Sequence, residues 1–231
     1  MSDLASRLPF VSRRLQVGSL PWKTCLVCGG FLLTLAVFLL AWAFSTFPGD
    51  EAALRGFQGI QRGWLNTAAL AVTSLGGAKV AAVLMVWVVA AMYLLRRRVD
   101  SLIALLSAVP MIAGFFLKEI VGRTRPDYFL TGSDPGTQSF PSGHSVIAMV
   151  FGGLMIIFVG DLVHSRPVRR ALQLGLALLI LAVGASRVYL GVHWPSDVLG
   201  GYLFGAMALL VLVWLRNRLT GRQRQTAVIA G

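Results

Sequence analysis

The chain has 231 residues, of which 56% are hydrophobic and 13% are charged. Soluble domains carry about twice that share of charged residues, so the composition excludes an ordinary soluble protein and indicates a membrane protein. The formal net charge of +12 would suit nucleic-acid binding. However, the basic residues lie mostly in short stretches between apolar runs, where contact with membrane lipids is expected and a nucleic-acid partner is not.

Six apolar runs predict an all-α fold, a polytopic bundle of six transmembrane helices, because roughly 17 to 25 apolar residues cross a bilayer as a helix. The predicted spans are 26–46, 67–95, 101–117, 145–163, 171–186 and 198–215. Apolar side chains at helical spacing over 51–66 predict an interfacial helix between spans one and two. The chain is interpreted as one membrane domain, with a leader (1–25), a six-span core (26–215) and a basic tail (216–231).

The distribution of lysine and arginine predicts the orientation of these spans. Of the 21 basic residues, 14 precede span one, join spans two and three, join spans four and five, or follow span six. Short loops rich in positive charge stay on the cytoplasmic side during insertion. We therefore expect a multi-pass protein of the inner (cytoplasmic) membrane with both termini in the cytoplasm.

Three polar clusters fall on the predicted extracytoplasmic side, at 118–126 (KEIVGRTRP), 141–144 (PSGH) and 186–197 (SRVYLGVHWPSD). Consecutive spans alternate in direction, so the ends of spans three and five and the starts of four and six reach one membrane face. Taken singly, each cluster has an ordinary explanation as snorkelling cations, an N-cap or an acid in a first helical turn. Together they indicate a phosphate site.

The expected phosphate ligands combine positive charge with neutral donors. Arginine forks match phosphate oxygens, lysine adds a point charge, and a glycine backbone allows close approach of a ligand. These ligands are Lys118, Arg125, Arg187, Ser142 and the backbone of Gly143.

Two histidines supply the remaining chemistry of phosphoryl transfer. His193 lies four residues before Asp197, and a carboxylate at that distance can hold one imidazole nitrogen protonated while the other attacks phosphorus. His144, at another helix start, is the expected acid for the leaving oxygen. His164 lies in a predicted cytoplasmic loop and receives no role.

These clusters resemble the three-part signature of the type 2 phosphatidic acid phosphatase superfamily, K-x6-RP, PSGH and SR-x5-H-x3-D. Every fixed position matches, from Lys118 to Asp197. The resemblance covers roughly residues 60–215 and includes the six-helix plan. It implies a lipid phosphatase that forms a phosphohistidine at His193, with Asp197 orienting the ring and His144 protonating the leaving group. The phosphate-binding residues that it implies are Lys118, Arg125, Ser142, Gly143, His144 and Arg187.

No metal or other cofactor is expected, since the family generally needs none and the sequence has no carboxylate cluster suited to magnesium. A site at the outer interface suits a lipid phosphate whose tail stays in the bilayer. Candidate substrates are undecaprenyl diphosphate, phosphatidylglycerophosphate, phosphatidic acid and lipid A 1-phosphate. Two alternatives stay open, a lipid-linked phosphotransferase using the same intermediate and a membrane transporter. The sequence does not predict the oligomeric state.

Overall fold

The computed structural model describes residues 22–127, 130, 136 and 138–229, with only the backbone given for Lys23 and for 222–229. The all-α prediction is confirmed for these residues, which form helices and no β-strand. The helices are α1 (Trp22–Ala43), α2 (Asp50–Gly59), α3 (Gly63–Leu75), α4 (Ala78–Leu94), α5 (Arg98–Leu106), α6 (Ala108–Val121), α7 (Gly143–Ile147), a π-helical turn (Ala148–Gly152), α8 (Gly153–Leu162), α9 (Arg166–Tyr189) and α10 (Pro195–Ile229). The leader predicted at 1–25 lies outside the described residues up to position 21.

Among the residues that the structure describes, five stretches are long and apolar enough to cross a membrane. They are Thr24–Ala43, Arg98–Val121, Gly143–Leu162, Arg166–Tyr189 and Pro195–Gly221. A sixth is obtained if α3 and α4, which meet at an angle of 48°, count as one bent span. Large apolar side chains such as Phe31, Trp87 and Phe116 are exposed on the outer faces of these helices. A bilayer, unlike water, is a favourable solvent for such a surface.

The second predicted span is wrong as a continuous helix over 67–95, because the chain breaks at Gly76 and Gly77. Two adjacent glycines have the lowest helix propensity apart from proline. Space is also limited there. A Cβ on Gly76 would lie 2.5 Å from Cγ1 of Val183 on α9 and 3.4 Å from Cδ2 of His144. The glycines therefore let the bent segment pack closely against α9 and α7.

The helix predicted at 51–66 is also corrected, since α2 ends at Gly59 and α3 begins at Gly63. Glycines thus bracket the three non-helical residues between them. Two other helices are longer than predicted. Both α9 and α10 extend beyond the predicted spans 171–186 and 198–215, because charged end residues lower the mean hydropathy without ending a helix. The predicted tail from 216 consequently begins inside α10.

Helix α10 is the centre of the bundle and packs against α1, α2, α5, α6, α7, α8 and α9. Close approach to α7 depends on small residues. A Cβ on Gly201 would lie 2.7 Å from the carbonyl oxygen of Ser142, and one on Gly205 would lie 2.8 Å from Cβ of Met149. Small residues four apart let helix backbones approach in this way in membrane proteins. Residues Ile103, Val146, Val150, Leu154 and Leu212 form the buried core beside this contact.

The two ends of the bundle are held by ion pairs. At the end where the start of α5, the end of α8 and the middle of α10 meet, Arg97 and Arg216 both pair with Asp100 and Asp161. The Nε atoms of both arginines lie 2.6 Å from Asp100. This cluster joins α5, α8 and α10. The polar motif residues all lie at the opposite end.

We predict that Gly201→Ala destabilises the bundle by about 1 to 3 kcal/mol, the usual cost of overpacking. The new methyl group would meet a backbone oxygen that already accepts a hydrogen bond from Val146 N and so cannot move away. The matched control is Gly175→Ala on α9, where a Cβ would have no neighbour within 4 Å. Thermal unfolding in detergent measures both. Equal melting temperatures for the two variants would contradict this account of the α7–α10 contact.

Candidate active site

The three polar clusters converge on one cavity of about 810 Å³. Lys118 lies at the end of α6, Gly143 and His144 begin α7, and Arg187 lies near the end of α9. Arg125 and His193 reach the cavity from the connections that follow α6 and α9. These six predicted site residues all line the cavity. The other two, Ser142 and Asp197, are buried behind its wall.

His193 is buried in the short connection between α9 and α10. Its Nδ1 lies 3.4 Å from Oδ2 of Asp197, a long hydrogen bond. Its Nε2 lies 3.2 Å from Nη1 of Arg125. Because a guanidinium only donates hydrogen bonds, Nε2 is the acceptor and the ring hydrogen belongs on Nδ1. The nitrogen that faces the cations therefore carries the lone pair that a nucleophile needs.

The surroundings of His193 also favour its neutral form. Burial, followed by the nearby charges of Lys118, Arg125 and Arg187, holds the pKa of His193 well below its ordinary value of 6.5. Desolvation and like charges both oppose protonation of an imidazole. The ring is thus uncharged at neutral pH.

Asp197, the third residue of α10, is held by several donors. Its Oδ2 accepts hydrogen bonds from the backbone N of Trp194, at 2.8 Å, and from the hydroxyl of Ser139. Its Oδ1 accepts a hydrogen bond from Nη1 of Arg123, at 2.7 Å. Its carbonyl oxygen accepts one from the backbone N of Ser142, at 3.0 Å. One aspartate therefore joins the start of α10 to the segment that begins α7.

The cationic part of the cavity has buried donors in and next to its wall. Nη1 of Arg187 donates to Oγ1 of Thr73 on α3, at 2.7 Å. Within the described part of the chain, the buried Nε of Arg187 and Oγ of Ser142 have no hydrogen-bond partner. Buried donors are normally satisfied, and a phosphate oxygen is a suitable acceptor for both. The helix that starts at Gly143 continues through the π-helical turn to Leu162, so its N-terminal dipole adds further attraction for an anion.

His144 lies against the break between α3 and α4. A Cβ on Gly77 would lie 3.9 Å from Nε2 of His144. The double glycine therefore leaves room beside the imidazole. This contribution of the second span to the site was not predicted.

The rest of the cavity is apolar. Ala78, Ala82 and Met85 line it from α4, and Ile112, Phe115 and Phe116 line it from α6. The three α6 side chains are also exposed on the outer surface of the bundle. The cavity thus runs from a cationic end to an apolar wall that faces the bilayer.

Sequence reasoning missed four buried residues at the cationic end. They are Asp50, Arg123, Ser139 and Ser196. A signal existed for Arg123, which lies within the 118–126 cluster and on the membrane side where basic residues are disfavoured. Asp50 had no signal beyond being an acid in the first turn of a helix. Among the described residues, no group of three or more His, Cys, Asp or Glu side chains is arranged to hold a metal ion.

Comparison with known proteins agrees with this geometry. A family model described as the PAP2 superfamily matches residues 101–220, which contain all three polar clusters. The chain belongs to the PAP2 superfamily. This PAP2 chain is a phosphatase, and its apolar helices make it a multi-pass membrane protein. Relatives that are named as lipid phosphatases make it a membrane lipid phosphatase.

Individual relatives extend the similarity beyond the matched domain. Phosphatidylglycerophosphatase B of Bacillus subtilis is 33% identical over 165 residues, which cover 71% of the PAP2 chain and 81% of that protein. An undecaprenyl-diphosphatase of Sulfolobus acidocaldarius is 28% identical over 126 residues, covering 52% and 57% of the two chains. The crystal structure of a transmembrane PAP2-type phosphatidylglycerolphosphate phosphatase from Bacillus subtilis superposes with a TM-score of 0.73 at 29% identity, covering 83% of this chain and 96% of that one.

We predict that Arg187→Lys weakens binding of inorganic phosphate by about tenfold, because lysine keeps the charge but loses the fork that matches two phosphate oxygens. Inhibition of turnover by inorganic phosphate measures the effect. Arg170→Lys is the control, since Arg170 is exposed at the other end of α9. Identical inhibition of both variants would show that the Arg187 guanidinium does not bind phosphate.

Proposed function

We propose that the chain removes phosphate from a lipid phosphomonoester or diphosphate whose tail occupies the apolar part of the cavity. The observation that carries this proposal is the position of His193 Nε2. A neutral imidazole nitrogen lies 3.2 Å from a guanidinium, at the cationic end of a cavity whose remaining wall is apolar and faces lipid. A water-soluble phosphate ester would gain nothing from that wall.

The proposed substrates are phosphatidylglycerophosphate, undecaprenyl diphosphate, phosphatidic acid and lipid A 1-phosphate. The names of the relatives from Bacillus subtilis and Sulfolobus acidocaldarius support the first two. All four combine a charged phosphate with hydrocarbon chains. They differ in the group that leaves, which is a lipid alcohol for a monoester and a lipid monophosphate for a diphosphate.

The proposed reaction has two steps at phosphorus. Nε2 of His193 bonds to phosphorus while the bond from phosphorus to the lipid oxygen breaks, and His144 gives a proton to that oxygen. Water then attacks phosphorus, its proton passes to His144, and the bond to Nε2 breaks to release inorganic phosphate. Lys118, Arg125, Ser142, Gly143, His144 and Arg187 hold the phosphate oxygens in this scheme, while Asp197 keeps Nδ1 of His193 protonated.

We also propose that the bent pair α3–α4 forms the second of six spans and that α2 lies at the membrane interface. On this topology the active site is extracytoplasmic and both termini are cytoplasmic in the inner membrane. The cluster of Arg97 and Arg216 supports this orientation, since it lies at the bundle end opposite to His193 and positive residues stay in the cytoplasm. The whole chain, 1–231, then forms a single membrane phosphatase domain.

The decisive test is phosphate release from the four lipids in detergent micelles. We expect His193→Ala and His144→Ala each to lower the rate by at least about a thousandfold, as is usual when a nucleophile or its proton donor is removed. His164→Ala is the control, because His164 is exposed at the other end of the bundle. Wild-type turnover by either active-site variant would refute its assigned role. A phosphorylated acceptor without free phosphate would instead indicate a phosphotransferase.

The pH dependence tests the neutral nucleophile. Because its pKa is held well below 6.5, His193 stays deprotonated as the pH falls from 8 through 6.5. Once divided by the fraction of lipid phosphate that is dianionic, kcat/KM should show no acid limb near pH 6.5. A corrected acid limb centred near pH 6.5 would mean that His193 titrates like an ordinary histidine.

A further inference from the structure

Arg123 is buried between two carboxylates from distant parts of the chain. Its side chain is 0% exposed, with Nη1 lying 2.7 Å from Oδ1 of Asp197 and Nη2 lying 2.8 Å from Oδ2 of Asp50. Asp50 is the first residue of α2 and lies outside both the polar motifs and the region 101–220 that the family model matches. A residue outside the region that the family model matches is thus linked through one guanidinium to the partner of His193.

Ser196 completes this buried network. Its backbone N donates to Oδ1 of Asp50 at 3.0 Å, and its hydroxyl donates to Oδ2 of Asp50 at 2.6 Å. The same hydroxyl accepts a hydrogen bond from Nη1 of Arg123 at 2.8 Å. Nε of Arg123 donates to the carbonyl oxygen of Ser45 at 2.9 Å. Every nitrogen of the guanidinium therefore has an acceptor, so its orientation is fixed.

The orientation of Arg123 determines which oxygen of Asp197 faces His193. Because Oδ1 is occupied by the guanidinium, Oδ2 is the oxygen that accepts from Trp194 N and approaches Nδ1 of His193. Asp50 accepts a hydrogen bond from Nη2, the other terminal nitrogen of the same guanidinium. Without Asp50, the guanidinium loses a buried counter-charge and the acceptor of its Nη2, which weakens its hold on the rotation of the Asp197 carboxylate.

Helix α2 is also fastened to this end of the bundle by apolar packing. Leu54 is fully buried and packs with Val188, Trp194 and Val198, which flank the connection that carries His193. The ionic and apolar contacts of α2 are thus made with the same part of the chain, the connection between α9 and α10 and its two ends. An unpaired buried charge is strongly unfavourable. The burial of Asp50 is therefore stable only because Arg123 and Ser196 pair with it.

From this network we infer that Asp50 and Arg123 are positioning residues of the phosphatase reaction, acting in series on Asp197 and so on the ring of His193. Helix α2 is on this inference part of the active site. The inference rests on the proposed function only in taking His193 as the nucleophile.

The test compares the rate constant and the amplitude of phosphoenzyme formation in a single turnover with radiolabelled phosphatidic acid. The amplitude, once corrected for the separately measured hydrolysis of the phosphoenzyme, reports the fraction of folded, active protein, whereas the rate constant reports the geometry of the nucleophile. We expect Asp50→Asn to lower the rate constant about 10- to 100-fold, the range found when the partner that orients a metal-binding side chain is removed. In steady-state assays the KM should change by less than about twofold.

Arg123→Gln should be slower still, and Arg123→Lys should recover part of the rate. The double variant Asp50→Asn with Arg123→Gln should be no slower than Arg123→Gln alone, because residues that act in series are not additive. Glu51→Gln is the matched control. Glu51 is the next residue of α2, pairs with Arg55 and is exposed, so its substitution should leave the rate constant unchanged.

A wild-type rate constant for Asp50→Asn, or a loss of amplitude alone, would overturn the inference and leave a structural role for α2. If Arg123→Gln does not fold, Asp50→Asn and Arg123→Lys carry the comparison. Absence of a phosphoenzyme and of phosphate release with all four proposed lipids is a different result, since it would refute the proposed function itself. If phosphatidic acid is not turned over, the comparison is made with whichever of the four lipids is.

Discussion

The carboxylate of Asp197 binds together the segments that form the cationic end of the cavity. It is fully buried, and its hydrogen-bond donors come from the segment after α6, from the segment before α7 and from the turn that starts α10. A buried carboxylate is stable only when its charge is paired and its lone pairs are satisfied. Each donor must therefore lie within hydrogen-bonding distance of Oδ1 or Oδ2 of Asp197. His193 directly precedes this turn, so the position of its ring is also fixed by the contacts of Asp197.

Much of this site follows from chain direction alone. Spans that alternate in direction must place the ends of the third and fifth beside the starts of the fourth and sixth, so the convergence of Lys118, His144 and His193 could be predicted. The partners of Arg123 could not. Neither hydropathy nor spacing tells which buried acid a given arginine will meet, because that depends on how α2 docks. Asp50 resembles any acid at a helix start.

The break at Gly76 and Gly77 was missed for a related reason. Averaged over a span, two glycines barely change the hydropathy, so 67–95 looks like an unbroken helix. The reason for the glycines lies on other helices, where Val183 and His144 occupy the space that a Cβ would need. Likewise, the extension of α10 past residue 215 depends on Arg216, whose charge suggested an end but which pairs with Asp100. Both features depend on residues that lie far along the chain, which neither hydropathy nor spacing reveals.

The apolar wall formed by α4 and α6 offers no directional contact to whatever lies against it. Dispersion and the exclusion of water grow with contact area and do not distinguish the ground state from the transition state. Chain length and saturation would therefore change how tightly a lipid is held, with little influence on how fast it reacts once bound. Differences in turnover rate between lipids therefore depend on the groups within a few ångströms of the phosphorus atom. A single enzyme of this design can act on lipids whose hydrocarbon portions have little in common.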